Sequence, residues 1–169
     1  MAGAPGMNDF WRSKEYVQAR EFEGTPREQR YELLRIVTEE NPIFKPGEDF
    51  EYSNAGPYIA ASMMEKEMDQ TWESMMEELL LKPLQMGNTT PLRSLQRGSS
   101  PQLTAPGGGI HSSMEDFAKF CIFHMQFKPG NALGIKRKDF EKMHEASGDS
   151  NYGLGFFAIT RNWSKGTTY

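Results

Sequence analysis

The stretch Pro46-Gly47-Glu48-Asp49-Phe50-Glu51-Tyr52-Ser53-Asn54-Ala55-Gly56 changes backbone habit twice within a few residues. Pro46-Gly47 marks a turn, because proline pre-sets φ and glycine accepts a conformation other residues resist. Phe50-Glu51-Tyr52 then reads as extended chain. A helix is predicted after Asn54, running to about Met68. Gly56-Pro57 suits its start and would break its middle, where the proline ring removes a hydrogen bond and clashes with the preceding turn. Ile59, Ala60, Met63 and Met64 are expected on its buried side. This reading places Tyr52, Ser53 and Asn54 at the start of a helix.

Working outward, Met1 to Asp9 reads as loop, and a short helix is expected within Phe10 to Phe22. Thr25-Pro26-Arg27-Glu28 is a capping box with proline at the first helical position. Tyr31, Leu34, Ile36 and Val37 give the helix that follows one apolar face, and Asn41-Pro42 ends it. Thr71 caps a further helix bearing Trp72, Met75, Met76, Leu79 and Leu80, which Pro83 stops. The methionines on these faces read as adaptable core filler. Gly87 to Gly109, rich in Pro, Ser, Thr and Gly, reads as a long surface loop. Ser112-Ser113-Met114-Glu115 offers a second capping box, opening a helix with Phe117, Phe120, Cys121, His124 and Met125 that Pro129-Gly130 closes. Lys136 to Glu145 reads as a short charged helix with Phe140 and Met143 inward. Gly153 to Thr160 is glycine-opened and aromatic, hence a strand. Asn162 to Gly166 turns it back into Thr167-Thr168-Tyr169. The fold class expected is mainly α with a small C-terminal β hairpin.

Composition narrows the function. At 169 residues with 37% hydrophobic, 25% charged and 12% aromatic residues, the chain suits one packed domain. A net charge of −4 with interspersed signs gives no basic stripe for nucleic acid. No apolar run approaches the roughly 18 residues of a membrane span, and no signal peptide is visible. The single cysteine, Cys121, reads as a small buried hydrophobe. His111, His124 and His144 are scattered as surface or interhelical residues, without a zinc-binding pattern. Gly107-Gly108-Gly109 lacks the Gly-Lys-Ser/Thr ending of a phosphate loop and reads as a turn. Neither Gly-x-Ser-x-Gly nor Ser-x-x-Lys occurs.

Several segments, in order and in register, carry a family resemblance. The segment from Pro46 to Gly56 resembles the Pro-Gly-x-x-Phe-x-Tyr-Ser-Asn-x-Gly segment of class C β-lactamases, penicillin-binding proteins, D,D-peptidases and family VIII-type esterases. Ala4-Pro5-Gly6-Met7-Asn8-Asp9 is similar to a degraded Ser-Gly-Leu-Pro-Asp loop. Lys82-Pro83-Leu84-Gln85-Met86-Gly87-Asn88-Thr89 is similar to Pro-Leu-Gly-Met-x-x-Thr, with Gln85 in place of glycine. Pro106-Gly107-Gly108-Gly109-Ile110-His111-Ser112-Ser113-Met114-Glu115-Asp116 resembles Gly-Gly-Leu-x-Ser-Thr-x-x-Asp, and Tyr152-Gly153-Leu154-Gly155-Phe156 resembles Tyr-Gly-Leu-Gly-Trp. The resemblance implies an internal piece of a helical region packed on a sheet built from both chain ends. Residues 1–169 would form a single partial domain, 1–150 the helical region with long loops and 151–169 the start of the returning β-sheet.

In that family Ser-x-x-Lys supplies the nucleophile, Tyr-x-Asn a tyrosine near it and an asparagine touching substrate, and a Lys-Thr-Gly or His-x-Gly strand closes the pocket. Only Tyr52-Ser53-Asn54 is present here; Lys165-Gly166-Thr167 has suitable residues in the wrong order and reads as a turn. The resemblance therefore makes Tyr52 the candidate general base and Asn54 the candidate substrate contact of a serine hydrolase whose nucleophile is not in the chain. Asn54 orients a carbonyl, caps the following helix, or does both. A phenol, with an ordinary pKa of about 10, works as a base only beside ammonium groups, which the absent motifs would bring. Ser53 is a poor nucleophile candidate, because neighbouring side chains on an extended segment point apart. No cofactor or metal is expected. Expected partners are a small-molecule amide or ester substrate and a second copy joined through an uncovered sheet-facing surface. The family is often exported or periplasmic, and the localisation of this chain is left unassigned. The alternative is a non-catalytic interaction module on the same helical scaffold.

Overall fold

The computed structural model describes residues 14–39, 41, 45, 48–49, 52–91, 102–146, 151–163 and 167–168. In chain order the elements are α1 (Lys14–Glu21), α2 (Pro26–Glu39), α3 (Ala55–Met68) and α4 (Trp72–Met76), which continues into a π-helical turn (Glu77–Leu81). Strand β1 (Thr89–Thr90), a 3-10 turn (Gln102–Gly107), β2 (His111–Ser112), α5 (Met114–Met125), α6 (Arg137–His144), β3 (Ile159–Thr160) and β4 (Thr167–Thr168) follow. The chain forms two compact units, Met1–Lys119 and Phe120–Tyr169, and the division falls inside α5. Among the described residues no helix is long and apolar enough to cross a membrane.

In the first unit, α2 starts as its sequence dictates. The Thr25 amide and hydroxyl donate to Glu28 Oε2 at 2.7 and 2.8 Å, and the Glu28 amide returns a bond to Thr25 Oγ1 at 3.3 Å. A cap of this kind contributes about 1 kcal/mol. Leu33 and Ile36 of α2 pack with Ala19, Ala55, Tyr58 and Leu103 in one cluster; Ala61, Trp72, Met75 and Ala105 form a second. The 3-10 turn serves both, with Leu103 in the first and Ala105 in the second. It also explains two of the three consecutive glycines. A Cβ on Gly107 would lie 2.5 Å from the Tyr58 ring, and one on Gly109 would lie 2.5 Å from Ala105 Cα.

Charge is buried in the same unit. Arg30 of α2 is fully buried, and so is Glu65 of α3. The Arg30 guanidinium donates to both oxygens of Glu65 and, at 2.9 Å, to both oxygens of Glu73 on α4. Glu65 Oε1 additionally accepts the Trp72 amide at 2.8 Å. One planar fork thus joins three helices, a geometry that arginine supports and lysine does not.

A second polar node fixes the turn after the π-helical segment. Asp116 of α5, fully buried, accepts the Asn88 amide at 2.6 Å, the Thr89 hydroxyl at 3.0 Å and the Lys119 ammonium at 2.7 Å. Lys119 also donates to the Gln85 carbonyl at 2.6 Å. β1 and β2 pair antiparallel beside it, Thr89 with Ser112 and Thr90 with His111. Gln85 sits at φ +55. A Cβ is disfavoured in left-handed backbone, so a glycine would sit there without strain.

In the second unit an aromatic cluster joins α5, α6 and the turn after them. Phe123 and Phe140 meet edge to face at 5.8 Å, and Phe127 lies 5.1 Å from Phe140. Tyr152 bridges to Phe157 around a tight turn, where Gly155 takes φ +94 and the Gly153 amide donates to the Phe156 carbonyl at 2.8 Å. β3 and β4 pair antiparallel, Ile159 with Thr168 and Thr160 with Thr167, which is the small C-terminal hairpin expected.

Several expectations need correction. Helix α3 buries Ala55, Tyr58, Ala61, Ser62 and Glu65, while Ala60, Met63 and Met64 are exposed and Ile59 is half-buried. The buried stripe is offset because Ser62 and the arginine-paired Glu65 lie on it, so hydrophobicity alone misplaces it. Met68, Met114 and Met125 are exposed as well; among the described residues Met75 and Met86 are the buried methionines. Leu79 is exposed. In Gly87 to Gly109 the residues Leu103, Thr104 and Ala105 are buried rather than on the surface. The second cap is one residue later than expected, the Asp116 amide donating to Ser113 Oγ at 3.2 Å. Gly153 to Thr160 is not one strand, because the turn at Gly155 divides it. Cys121 is half-buried. The loop at 1–9, the turn at 46–47, the extended residues 50–51 and residues 165–166 lie outside the described residues.

Two outcomes follow. Gln85→Gly should raise stability by about 0.5–1 kcal/mol, the left-handed penalty less glycine's greater unfolded-state freedom, and thermal unfolding measures it; a loss of stability would contradict the strain assigned to Gln85. The Asp116 carboxyl is held below the usual carboxylate range, chiefly by Lys119 and then by the Asn88 amide and Thr89 hydroxyl, against the opposing effect of burial. A depressed carboxyl pKa stabilises above the ordinary value, and the contribution fades as pH falls through the folded value. Asp116→Asn should therefore unfold at lower denaturant than the parent at pH 7, with the gap closing below about pH 4; a gap independent of pH would refute the assignment.

Candidate active site

Helix α3 presents the Tyr52-Ser53-Asn54 segment because it is held elsewhere along its length. Tyr58, one turn in, packs against Gly107. Glu65 takes Arg30, and at the C-terminal end Arg27 donates to the Glu65 carbonyl at 2.9 Å and to Asp69 Oδ1 at 3.1 Å. Asp69 closes the helix in left-handed backbone, φ +49. These contacts leave the first turn to carry the polar residues that precede it.

Their arrangement separates three roles. Ser53 Oγ accepts the Ala55 amide at 3.2 Å, satisfying one of the amides that a helix start leaves without an internal partner. Asn54 is already in helical backbone, φ −71 and ψ −12, and its side chain makes no capping bond. The expectation that Asn54 caps α3 is thus corrected. Capping requires extended backbone, which Asn54 lacks, so Ser53 serves instead. The half-buried Asn54 carboxamide has no hydrogen-bond partner among the described residues. Tyr52 is 40% exposed. Chemically, the segment offers a phenol, a carboxamide with two donors and an acceptor, and a hydroxyl already committed to backbone.

No metal site assembles around these residues. Among the described residues no group of three or more His, Cys, Asp or Glu could hold an ion. His111 is exposed, whereas His124 and His144, expected as surface or interhelical residues, face each other between helices at 3.1 Å in the second unit. That pair escaped sequence reasoning, although the signal was present. Phe140 points inward and His144 lies four residues on, hence on the same helical face.

The β-lactamase family model matches residues 4–167. Among solved structures, the chain is similar to a Bacteroides dorei protein provisionally named a β-lactamase, at 25% identity and a TM-score of 0.55, covering 70% of this chain and 34% of that one. It is also similar to the D-stereospecific amidohydrolase from Streptomyces sp., at 18% identity and a TM-score of 0.56, covering 80% of this chain and 43% of that one. No curated protein gives a match. The chain spans less than half the length of either solved structure. A match over nearly every residue, on a fold made of the helical region and a small antiparallel hairpin, places this chain in the β-lactamase family of serine hydrolases and their relatives.

Proposed function

We propose that this chain supplies the base-and-binding half of a serine acyl-transfer site acting on an amide or ester carbonyl, whether in a β-lactam, a peptide or an ester. Tyr52 is the general base, and Asn54 donates its amide hydrogens to the substrate carbonyl. The observation that carries this reading is the uncommitted Asn54 carboxamide beside the exposed Tyr52, with capping transferred to Ser53. A carboxamide without a protein partner keeps its donors and acceptor for a ligand, whereas one tied to backbone must first break that bond.

The nucleophile is not among these residues in this reading. Ser53 spends its hydroxyl on the Ala55 amide, and no serine in the sequence is followed by lysine three positions later. A Ser-x-x-Lys segment from polypeptide beyond these residues brings the serine, and its lysine lowers the cost of ionising the phenol by placing an ammonium beside it. The phenolate takes the serine proton as the oxygen attacks the carbonyl, and returns it to the leaving group. The chain is then an internal fragment of a longer hydrolase. A second reading, a non-catalytic interaction module, is favoured by the exposed methionines Met63, Met64 and Met68 along α3.

Incubation with a chromogenic cephalosporin and with a short-chain ester should give no turnover and no acyl adduct by mass spectrometry. A stoichiometric adduct on any residue would contradict the missing-nucleophile reading. If the reading frame extended in both directions carries Ser-x-x-Lys and hydrolyses either substrate, Tyr52→Phe in that longer protein should lower kcat by about 10²–10⁴-fold, the usual contribution of a general base. An extended protein without Ser-x-x-Lys would favour the interaction module.

A further inference from the structure

Helix α5 is apolar on two sides. Its inward side carries Phe120, Phe123 and His124, whose rings meet one another and, through Phe123, the ring of Phe140. Its other side carries Met114, Phe117, Ala118, Cys121, Ile122 and Met125, spaced i, i+3, i+4, i+7, i+8 and i+11, the repeat of a single helical face. Met114 is 81% exposed, Met125 73%, Phe117 50% and Ile122 49%. Ala118 is exposed and Cys121 half-buried. No charged residue falls on this repeat: Glu115 and Lys119 lie to one side of it, and Asp116 is buried opposite. All six positions belong to one unbroken helix, Met114–Met125, so the face is a property of α5 alone. A contiguous apolar face in water marks a surface that another surface covers.

The order of residues along the face says what fits it. The six positions are symmetric about the midpoint of the helix, between Lys119 and Phe120. Reversed end to end, Met114 comes level with Met125, Phe117 with Ile122 and Ala118 with Cys121. Large side chains therefore meet large ones at the ends, and the two small ones meet in the middle.

We propose that α5 is a two-fold, antiparallel docking surface for a second copy of this chain, with Ala118 and Cys121 at the crossing. The small pair lets the helix axes approach to about 8 Å, the near end of the usual range. The methionines, unbranched and adaptable, fill the ends. Charge sets the direction. Glu115, with its side chain 78% exposed and 3.8 Å from Lys119, stands in the first turn. Phe117 to Lys128 contains no acidic residue. Antiparallel packing brings each Glu115 beside the partner's last turn and opposes the helix dipoles, whereas parallel packing would set the two Glu115 carboxylates side by side. With a rise of about 1.5 Å per residue, the two Cys121 Cα atoms come to about 6 Å apart across such a crossing. That lies inside the roughly 4.4–6.8 Å that a disulfide spans, so the chain's single cysteine reports the contact. One helix pair is a small interface, and the dimer exchanges with monomer at micromolar concentration. The surface does not depend on the acyl-transfer reading.

Sedimentation of the reduced chain across the micromolar range tests the dimer, and cross-linking tests its geometry. Diamide, which takes the hydrogens of two thiols and is itself reduced to the hydrazine, should join two chains through Cys121 about tenfold faster or more than in urea-unfolded chain at the same concentration. Met125→Glu sets a like charge beside the partner's Glu115 and should weaken association about tenfold or more, with Met125→Lys losing less. Should Met125→Glu fail to fold, Met114→Glu, at the other end of the face, serves. Met63→Glu, on α3 and at a position 63% exposed, should change neither measurement. A chain that stays monomeric throughout, leaving α5 to be covered by polypeptide beyond these residues, would overturn the proposal. Cross-linking no faster than in the unfolded chain would overturn it too, as would association weakened as much by Met63→Glu as by the α5 variant.

Discussion

The fold of the first unit depends on a cation with two carboxylates around it, out of water. Arg30, Glu65 and Glu73 come from three helices, and the Arg30 guanidinium reaches both oxygens of each acid. Removing one partner from such a group leaves an uncompensated buried charge, which costs about 3–5 kcal/mol, a large share of a small domain's stability. The network also reaches the backbone, because Glu65 takes the Trp72 amide and so fixes where α4 begins. Since α3 carries Glu65 at its third turn and Asn54 just before its first, the same contact that holds the core holds the Tyr52-Ser53-Asn54 segment in place.

The family motifs, which look like separate strings in the sequence, meet in the fold. Gln85, Asn88 and Thr89 belong to one matched segment, Asp116 to another. The Asp116 carboxylate binds Asn88 and Thr89, and Lys119 links Asp116 to the Gln85 carbonyl. Gly107 belongs to the segment that ends at Asp116 and admits the ring of Tyr58, which lies just beyond the Tyr52-Ser53-Asn54 motif. The segments at 82–89 and 106–116 are thus tied to each other, and Gly107 ties the second of them to Tyr58. The proposed acyl-transfer role rests on only one of the matched segments, the one that carries Tyr52 and Asn54.

Much of this was legible in the chain, and the exceptions share a cause. Thr25 and Glu28 fixed the start of α2, Thr71 that of α4, and Gly56-Pro57 placed the start of α3. Those signals are local, so a few residues contain them. The buried stripe of α3 was misread because Glu65 looks like a surface residue until Arg30, thirty-five positions earlier in the chain, is known to face it. Met63 was misread by the same logic, being apolar but on the side of α3 opposite that stripe. Asn54 looked like a cap, and only its helical φ and ψ show that Ser53 had taken the task. The Tyr and Asn of the candidate site were visible as a motif; that the Asn54 side chain makes no capping bond was not.

The claim on which the rest stands is that Arg30 and Glu65 are energetically one object. A double-mutant cycle with Arg30→Met, Glu65→Gln and the pair, followed by urea unfolding, measures this directly. The account predicts that each single variant is strongly destabilised and that the double is better than their sum by about 0.5–3 kcal/mol, the range for residues sharing a buried network. Losses that add to within about 0.5 kcal/mol, as they do for independent sites, would contradict it.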